Sequence, residues 1–181
     1  FKYYKKEMLE PALEPSEGFF ALAELESRGL LQYAVTNNVY DLPERAGCKK
    51  VLNLHGTIFD NECPRCGKEY PMEYIRDAKK IPLCEKCQIP VRPKVMLFGE
   101  QVDNQLMTQA VNEISKADVL LLLGTNFNSG LCDPYVKYFE GSKMILINGQ
   151  EHFMDKKAHV VLHEEVKTAL PKIVWPNGRD A

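Results

Sequence analysis

The six cysteines divide into two kinds by spacing. Cys63-Pro-Arg-Cys66 and Cys84-Glu-Lys-Cys87 are CxxC pairs separated by the 17 residues Gly67 to Leu83. Each pair offers two sulfurs from one tight turn, and together they complete a tetrahedron around zinc with bonds of about 2.3 Å. Two disulfides are the alternative, disfavoured in the reducing compartment implied by the lack of an export leader. A thioredoxin-like redox motif needs one CxxC rather than two at this spacing. Four thiolates close the coordination sphere, so the expected metal is structural and leaves no open position for chemistry. Cys48 and Cys132 stand alone and read as small apolar filler. His55, between Leu54 and Gly56, is the one histidine placed for chemistry, because an imidazole with a pKa near about 6.5 exchanges protons at neutral pH. His152 lies in no such context. His159 and His163 fall in a segment read as strand, where four residues span roughly 13 Å, too far for one ion. A third group is polar and small: Thr36-Asn37-Asn38, Gly124-Thr125-Asn126 and Asn148-Gly149. Any one of them alone makes a turn; together, at the ends of predicted strands, they point to a ligand-binding edge.

The elements that must carry these groups alternate. Ser16 caps a helix through Leu22, Leu25 and Glu26, which stops at Gly29. An apolar run from Leu30 to Thr36 follows. Asp41, Pro43 and Glu44 read as the start of a short helix with a capping box, ended by Gly47. Val51–Leu54 is a strand candidate running into His55-Gly56, and Lys94–Phe98 is another. Leu106, Ala110, Val111 and Ile114 recur at helical spacing. Val119–Leu123 is wholly apolar, as suits a strand buried on both faces, and it breaks at Gly124. A helix to Phe139, the strand Lys143–Ile147, the short strand Val160–Leu162 and a closing segment Leu170–Val174 complete the chain. Strands alternating with helices imply a parallel α/β sheet, in which ligands bind at the carboxyl ends of the strands. The four polar motifs, His55-Gly56 included, are then expected on one sheet.

Read in order, the motifs resemble the sirtuin family. Tyr33-Ala-Val-Thr36-Asn37-Asn38, Glu44-Arg45-Ala46-Gly47 and Asn53-Leu54-His55-Gly56 precede the two CxxC pairs. Arg92-Pro-Lys-Val95-Met96-Leu97-Phe98-Gly99-Glu100, Gly124-Thr125-Asn126 and Ile147-Asn148 follow them. The resemblance covers about residues 16–175. It implies an α/β fold: a Rossmann-like parallel sheet, incomplete at its N-terminal side, with an inserted small zinc-binding module. The implied division is a large domain of residues 1–58 and 91–175, a zinc module of residues 59–90 and a tail of residues 176–181. The implied activity is NAD-dependent deacylation of protein lysine, moving the acyl group to ADP-ribose and releasing nicotinamide. In that mechanism the acyl oxygen attacks the anomeric carbon of the nicotinamide ribose, and His55 acts as base on a ribose hydroxyl. Thr36, Asn37, Asn38, Gly124, Thr125, Asn126 and Asn148 fall at NAD-binding positions. Val95, Met96, Phe98, Gly99 and Glu100 fall at acyl-lysine and peptide positions, where an extended substrate adds as a strand. Cys63, Cys66, Cys84 and Cys87 fall at the zinc positions. Three departures stand out. No Gly-Ala-Gly-x-Ser loop, GxGxxG or Walker-type loop occurs, so the 181 residues alone are expected to bind NAD weakly. Tyr40 takes the position of the family's nicotinamide-holding Asp, with Asp41 one residue further on. Asn126 replaces a Ser.

Composition narrows the alternatives. Lys and Arg number 23 against 25 Asp and Glu, a net charge of −2, which argues against gripping nucleic acid by bulk charge. Hydrophobic residues at 45% and charged residues at 27% are globular values. No apolar run approaches the ~18 residues of a membrane span, so no membrane partner is expected and the cytoplasm is the expected location. Scattered lysine doublets read as solvated surface. Beside the deacylase reading stand two others: a catalytically weakened module that binds NAD or ADP-ribose, and an ADP-ribosyltransferase using the same edge.

Overall fold

The computed structural model describes residues 1–9 and 13–179. Its parallel strands form two ladders. β1 (Ala34–Thr36) pairs with β2 (Val51–Asn53), in the register Val35 opposite Leu52. β6 (Val119–Leu123), β7 (Lys143–Ile147) and β8 (Val160–Leu162) pair in that order, with Leu122 opposite Leu146. The single sheet expected from the alternation is therefore two, with no β1–β6 pairing among the described residues. Side chains join them instead: Leu52, Leu54 and Val35 share a cluster with Leu120, Ala110 and Ile114.

Alternation along the strands sends side chains to two layers of helix. Leu121, Leu123, Ile145 and Ile147 pack on α1 (Glu17–Ser27) and α6 (Val166–Val174). Leu120 packs toward α4 (Asn104–Lys116) and the short α5 (Asp133–Val136), while Leu122 and Leu146 close around Phe127 and Cys132. Because β6 is paired on one side only, Val119 is 48% exposed and the run is less buried than its composition suggested. α4 starts at Asp103, whose carboxylate accepts from the amides of Gln105 and Leu106. The helix expected up to Phe139 shrinks to α5, because the residues from Asn126 to Cys132 make successive turns held by Ser129 and Asn126.

The third sheet is antiparallel, and it corrects the sequence reading. β3 (Gly56–Glu62) begins at the glycine expected to end a strand, and it lies between β4 (Glu69–Tyr70) and β5 (Arg92–Val95). The apolar stretch expected as a strand over Lys94–Phe98 pairs only as far as Val95 and then turns away. Around β3, the module adds α3 (Met72–Arg76) and a core of Tyr70, Ile75 and Val91. Phe1, Tyr4 and Leu9, from the N-terminal segment containing a π-helical turn at Tyr4–Leu9, pack on that core. The Tyr4 hydroxyl donates to the Ile58 carbonyl; burial there pushes its pKa up to about 12. Among the described residues no helix is long and apolar enough to cross a membrane.

Candidate active site and metal centre

The metal centre is built from two copies of one turn. In each CxxC, the amide of the residue after the second cysteine donates to the first cysteine's carbonyl: Gly67 to Cys63 and Gln88 to Cys84, at 2.9 and 2.8 Å. The first cysteine's amide closes the loop on Lys68 or Ile89. The residue after the pair has positive φ in both copies, +67° at Gly67 and +55° at Gln88. Glycine adopts this readily, whereas Gln88 is held there by the fold. The four sulfurs of Cys63, Cys66, Cys84 and Cys87 lie within 4.8 Å of one another, and all six cysteines are free thiols. Two of the thiols are shifted in opposite directions. The Tyr70 hydroxyl and the amides of Cys87 and Lys86 draw Cys84 down to about 6. Burial and the neighbouring cysteines push Cys87 up to about 12. Four cysteine sulfurs brought this close, with no disulfide among them, are a donor set that suits zinc.

The second site grows from the parallel register. Thr36 faces Asn53 at the carboxyl end of the β1–β2 ladder, and the Leu54 amide still donates to the Thr36 carbonyl. Thr36-Asn37-Asn38 and His55-Gly56 therefore leave the ladder side by side. His55 has its backbone tied and its ring untied: its carbonyl accepts from the Met96 amide at 2.9 Å, and its imidazole has no hydrogen-bond partner among the described residues. Gly56 pairs with Val95 at φ +70°, and a Cβ there would stand 1.9 Å from the Lys94 carbonyl oxygen. Only glycine permits that approach, which sets Val95 and Met96 directly across from His55.

The other ladder repeats the pattern. The Gly124 amide donates to Ile147 and the Asn148 amide to Leu162, so Gly124-Thr125-Asn126 and Asn148 share the carboxyl ends of β6 and β7. Thr125 bonds Ser129 at 2.7 Å, Asn126 accepts from the Asn128 amide, and the Asn148 side chain donates to the Gln150 carbonyl. Thr36 and Asn38 likewise shape their own loop, accepting from the amides of Asn38 and Tyr40. These polar side chains thus hold turns, leaving loop backbone to meet a ligand.

Several residues escaped the sequence reading. The expected capping box at Asp41 and Glu44 does not form. Asp41 sits in the left-handed region at φ +52° and accepts from the Thr57 hydroxyl at 2.7 Å. Burial raises its pKa, an effect opposed by the Thr57 hydrogen bond. Glu44 instead accepts from the Asn53 side-chain amide across to β2. Among the described residues, the buried side-chain atoms without a partner are Asn37 Oδ1, Asp41 Oδ1, Glu44 Oε2, Asn53 Oδ1 and Asp155 Oδ1. Four of these five oxygens lie between residues 37 and 53, at the end of the β1–β2 ladder. Acceptors left without donors in a fold are satisfied by buried water or by a ligand bearing N–H or O–H groups. No local motif marks such a cluster; it arises only where β1, α2 (Leu42–Arg45), β2 and β3 converge.

Comparison with known proteins bears on both sites. The Sir2 family model matches residues 1–129. This chain belongs to the Sir2 family. An NAD-dependent protein deacetylase of Clostridium acetobutylicum is 34% identical to this Sir2-family chain over 175 residues, covering 96% of the chain and 71% of the relative. An NAD-dependent protein deacylase of Pyrococcus furiosus is 35% identical over 184 residues, covering 96% and 72%. Among solved structures, a complex of Sir2 with p53 peptide and NAD+ superposes with a TM-score of 0.86 at 29% identity, covering 100% of this chain and 78% of that one. A structure on sirtuin substrate affinity reaches a TM-score of 0.90 at 28% identity, covering 98% and 76%. The Sir2 likeness thus takes in the Rossmann-like strands and the cysteine module together.

Proposed function

We propose that this Sir2-family chain is an NAD-dependent protein-lysine deacetylase or deacylase, with one structural zinc held by Cys63, Cys66, Cys84 and Cys87 and an acyl-lysine peptide as second substrate. The observation that carries the reading is the junction at His55. A half-buried histidine whose imidazole has no hydrogen-bond partner among the described residues stands at the carboxyl end of β2, tied by its own carbonyl to Met96. NAD supplies the ribose carbon at which nicotinamide is exchanged for the acyl oxygen. His55 takes a proton from a ribose hydroxyl, for which an untied imidazole is suited. Val95 and Met96 line the approach of a neutralised acyl-lysine, while Leu97 and Phe98, followed by Gly99, form the exposed lip. The amide-rich turns Thr36–Asn38 and Gly124–Asn126, with Asn148, face the dinucleotide with their backbone.

In this reading residues 1–58 and 91–175 make the large domain and residues 59–90 the zinc module, with the N-terminal turn docked on that module. The cytoplasm is part of the proposal, supported by six unpaired cysteines. The test is release of free lysine from an acetyl-lysine peptide, with and without NAD. One observation favours a second reading, a weakened binder of NAD or ADP-ribose: Tyr40 replaces the family's Asp and Asp41 is turned onto Thr57. Saturable binding of ADP-ribose without peptide turnover would select it; radiolabel transferred from NAD to protein would instead select ADP-ribosyl transfer.

A further inference from the structure

Glu100 was expected at a peptide-contacting position, yet its carboxylate is spent inside the chain. Arg92, the first residue of β5, meets it fork to fork: Nη1 to Oε1 at 2.6 Å and Nη2 to Oε2 at 2.9 Å. Oε2 also accepts from the Leu97 amide at 2.8 Å, and Arg92 Nη2 donates to the Val95 carbonyl at 2.9 Å. The Glu100 amide returns to the Leu97 carbonyl at 3.0 Å, and the Met96 amide reaches His55. Every anchor of the segment 95–100 is thus a bond within the chain. The side chains left over are apolar and face water: Leu97 is 50% exposed and Phe98 fully so. An exposed apolar lip on a hydrogen-bonded polar frame offers contact to a partner, and a two-pronged Arg–carboxylate bond fixes orientation as well as distance.

We propose that Arg92 and Glu100 form a positioning clamp that holds the Leu97–Phe98 lip, and through Met96 the backbone of His55, in the geometry that receives the peptide. The proposal rests on the deacylase reading, since it assigns the lip to an acyl-lysine peptide. Holding the lip before the substrate arrives removes an ordering cost from binding, so the clamp governs peptide affinity more than the chemical step. Neither residue touches the reacting atoms.

The experiment pairs two measurements on wild type, Arg92→Ala, Arg92→Lys and the reversed pair Arg92→Glu with Glu100→Arg. One is hydrogen exchange at the Leu97 amide. The other is binding of a fluorescein-labelled acetyl-lysine peptide by anisotropy. For Arg92→Ala we expect exchange at Leu97 to rise and peptide affinity to fall by about tenfold, with zinc content unchanged. Arg92→Lys, which keeps the charge but loses the fork, falls between, and the reversed pair recovers part of the affinity. In turnover, KM rises and kcat changes less. Faster exchange with unchanged peptide affinity would overturn the clamp and leave the deacylase reading intact. A wild type that binds no acyl-lysine peptide would overturn the deacylase reading, and the clamp's role with it.

Discussion

The cysteine module and the strand-end site hold their functional groups in opposite ways. In the module, ligands three residues apart meet because each CxxC folds as one turn, and the two turns share the same backbone bonds at Gly67 and Gln88. The chemistry is local and repeated. At the strand ends, His55 from the β2–β3 junction meets Val95, Thr36 and the acceptors of Asp41, Glu44 and Asn53 from β5, β1, α2 and β2, and a register brings them together. A site of the first kind fails when a ligand is lost. A site of the second kind fails when a neighbour moves.

Four measurements press on that difference. The largest effect belongs to the metal. Structural zinc contributes roughly 10 kcal/mol of apparent binding free energy to its module, so Cys84→Ser is expected to drop zinc from one per chain to near zero. Tyr70, Ile75 and Val91 then lose protection from hydrogen exchange, while the β6–β8 ladder keeps its own. Uniform loss across both regions would show that they fold as one unit and erase the contrast.

Next is His55→Ala. Removing a general base lowers the rate by about a hundredfold to ten-thousandfold, and zinc content and melting temperature are expected to hold, because the imidazole has no hydrogen-bond partner to lose among the described residues. Equal deacylation by both proteins in a steady-state assay would assign His55 a structural role.

Gly56→Ala probes the register. At φ +70° with a backbone oxygen 1.9 Å from the new Cβ, the β3–β5 pairing has to shift. We expect a loss of more than about 1 kcal/mol in denaturant melts, together with a rate loss like that of His55→Ala. Full stability with full activity would mean that the close approach does not set the site.

The smallest effect is a pH one. The Arg92 guanidinium, helped by the Leu97 amide, holds Glu100 down at about 2, against about 4.3 unfolded. Because the folded pKa is the lower one, the contribution is complete above about 4.3 and is lost as pH falls toward about 2. The protection factor at Leu97 is expected to follow that window, while the exposed position of the pair keeps the effect on global stability small. Protection that does not change between neutral pH and pH 2 would separate the lip from the clamp.

Legibility in the sequence followed the same divide. The cysteine spacing predicted four converging sulfurs, and the apolar periodicity located α1, α4, β6 and β7. β3 was missed because Gly56–Glu62 holds only two apolar residues, the adjacent Ile58 and Phe59, shows no alternation and lies where a glycine suggests a stop. The capping box at Asp41 and Glu44 satisfied every local rule and did not form. Thr57 and Asn53, 16 and 9 residues away, offered the two side chains better partners than their own helix amides.

By itself, the sequence determined the four converging cysteines, the identity of the family and the residues that meet at strand ends, because these depend on short spacings and on which residue types tolerate a turn. Only the tertiary structure decided which of those residues are free to act. Thr36, Asn38, Thr125 and Asn126 spend their side chains on their own loops, Glu100 spends its carboxylate on Arg92, and the His55 ring has no hydrogen-bond partner among the described residues. A hydrogen bond has two partners, and when the second lies on another strand the sequence can supply both residues without revealing the bond.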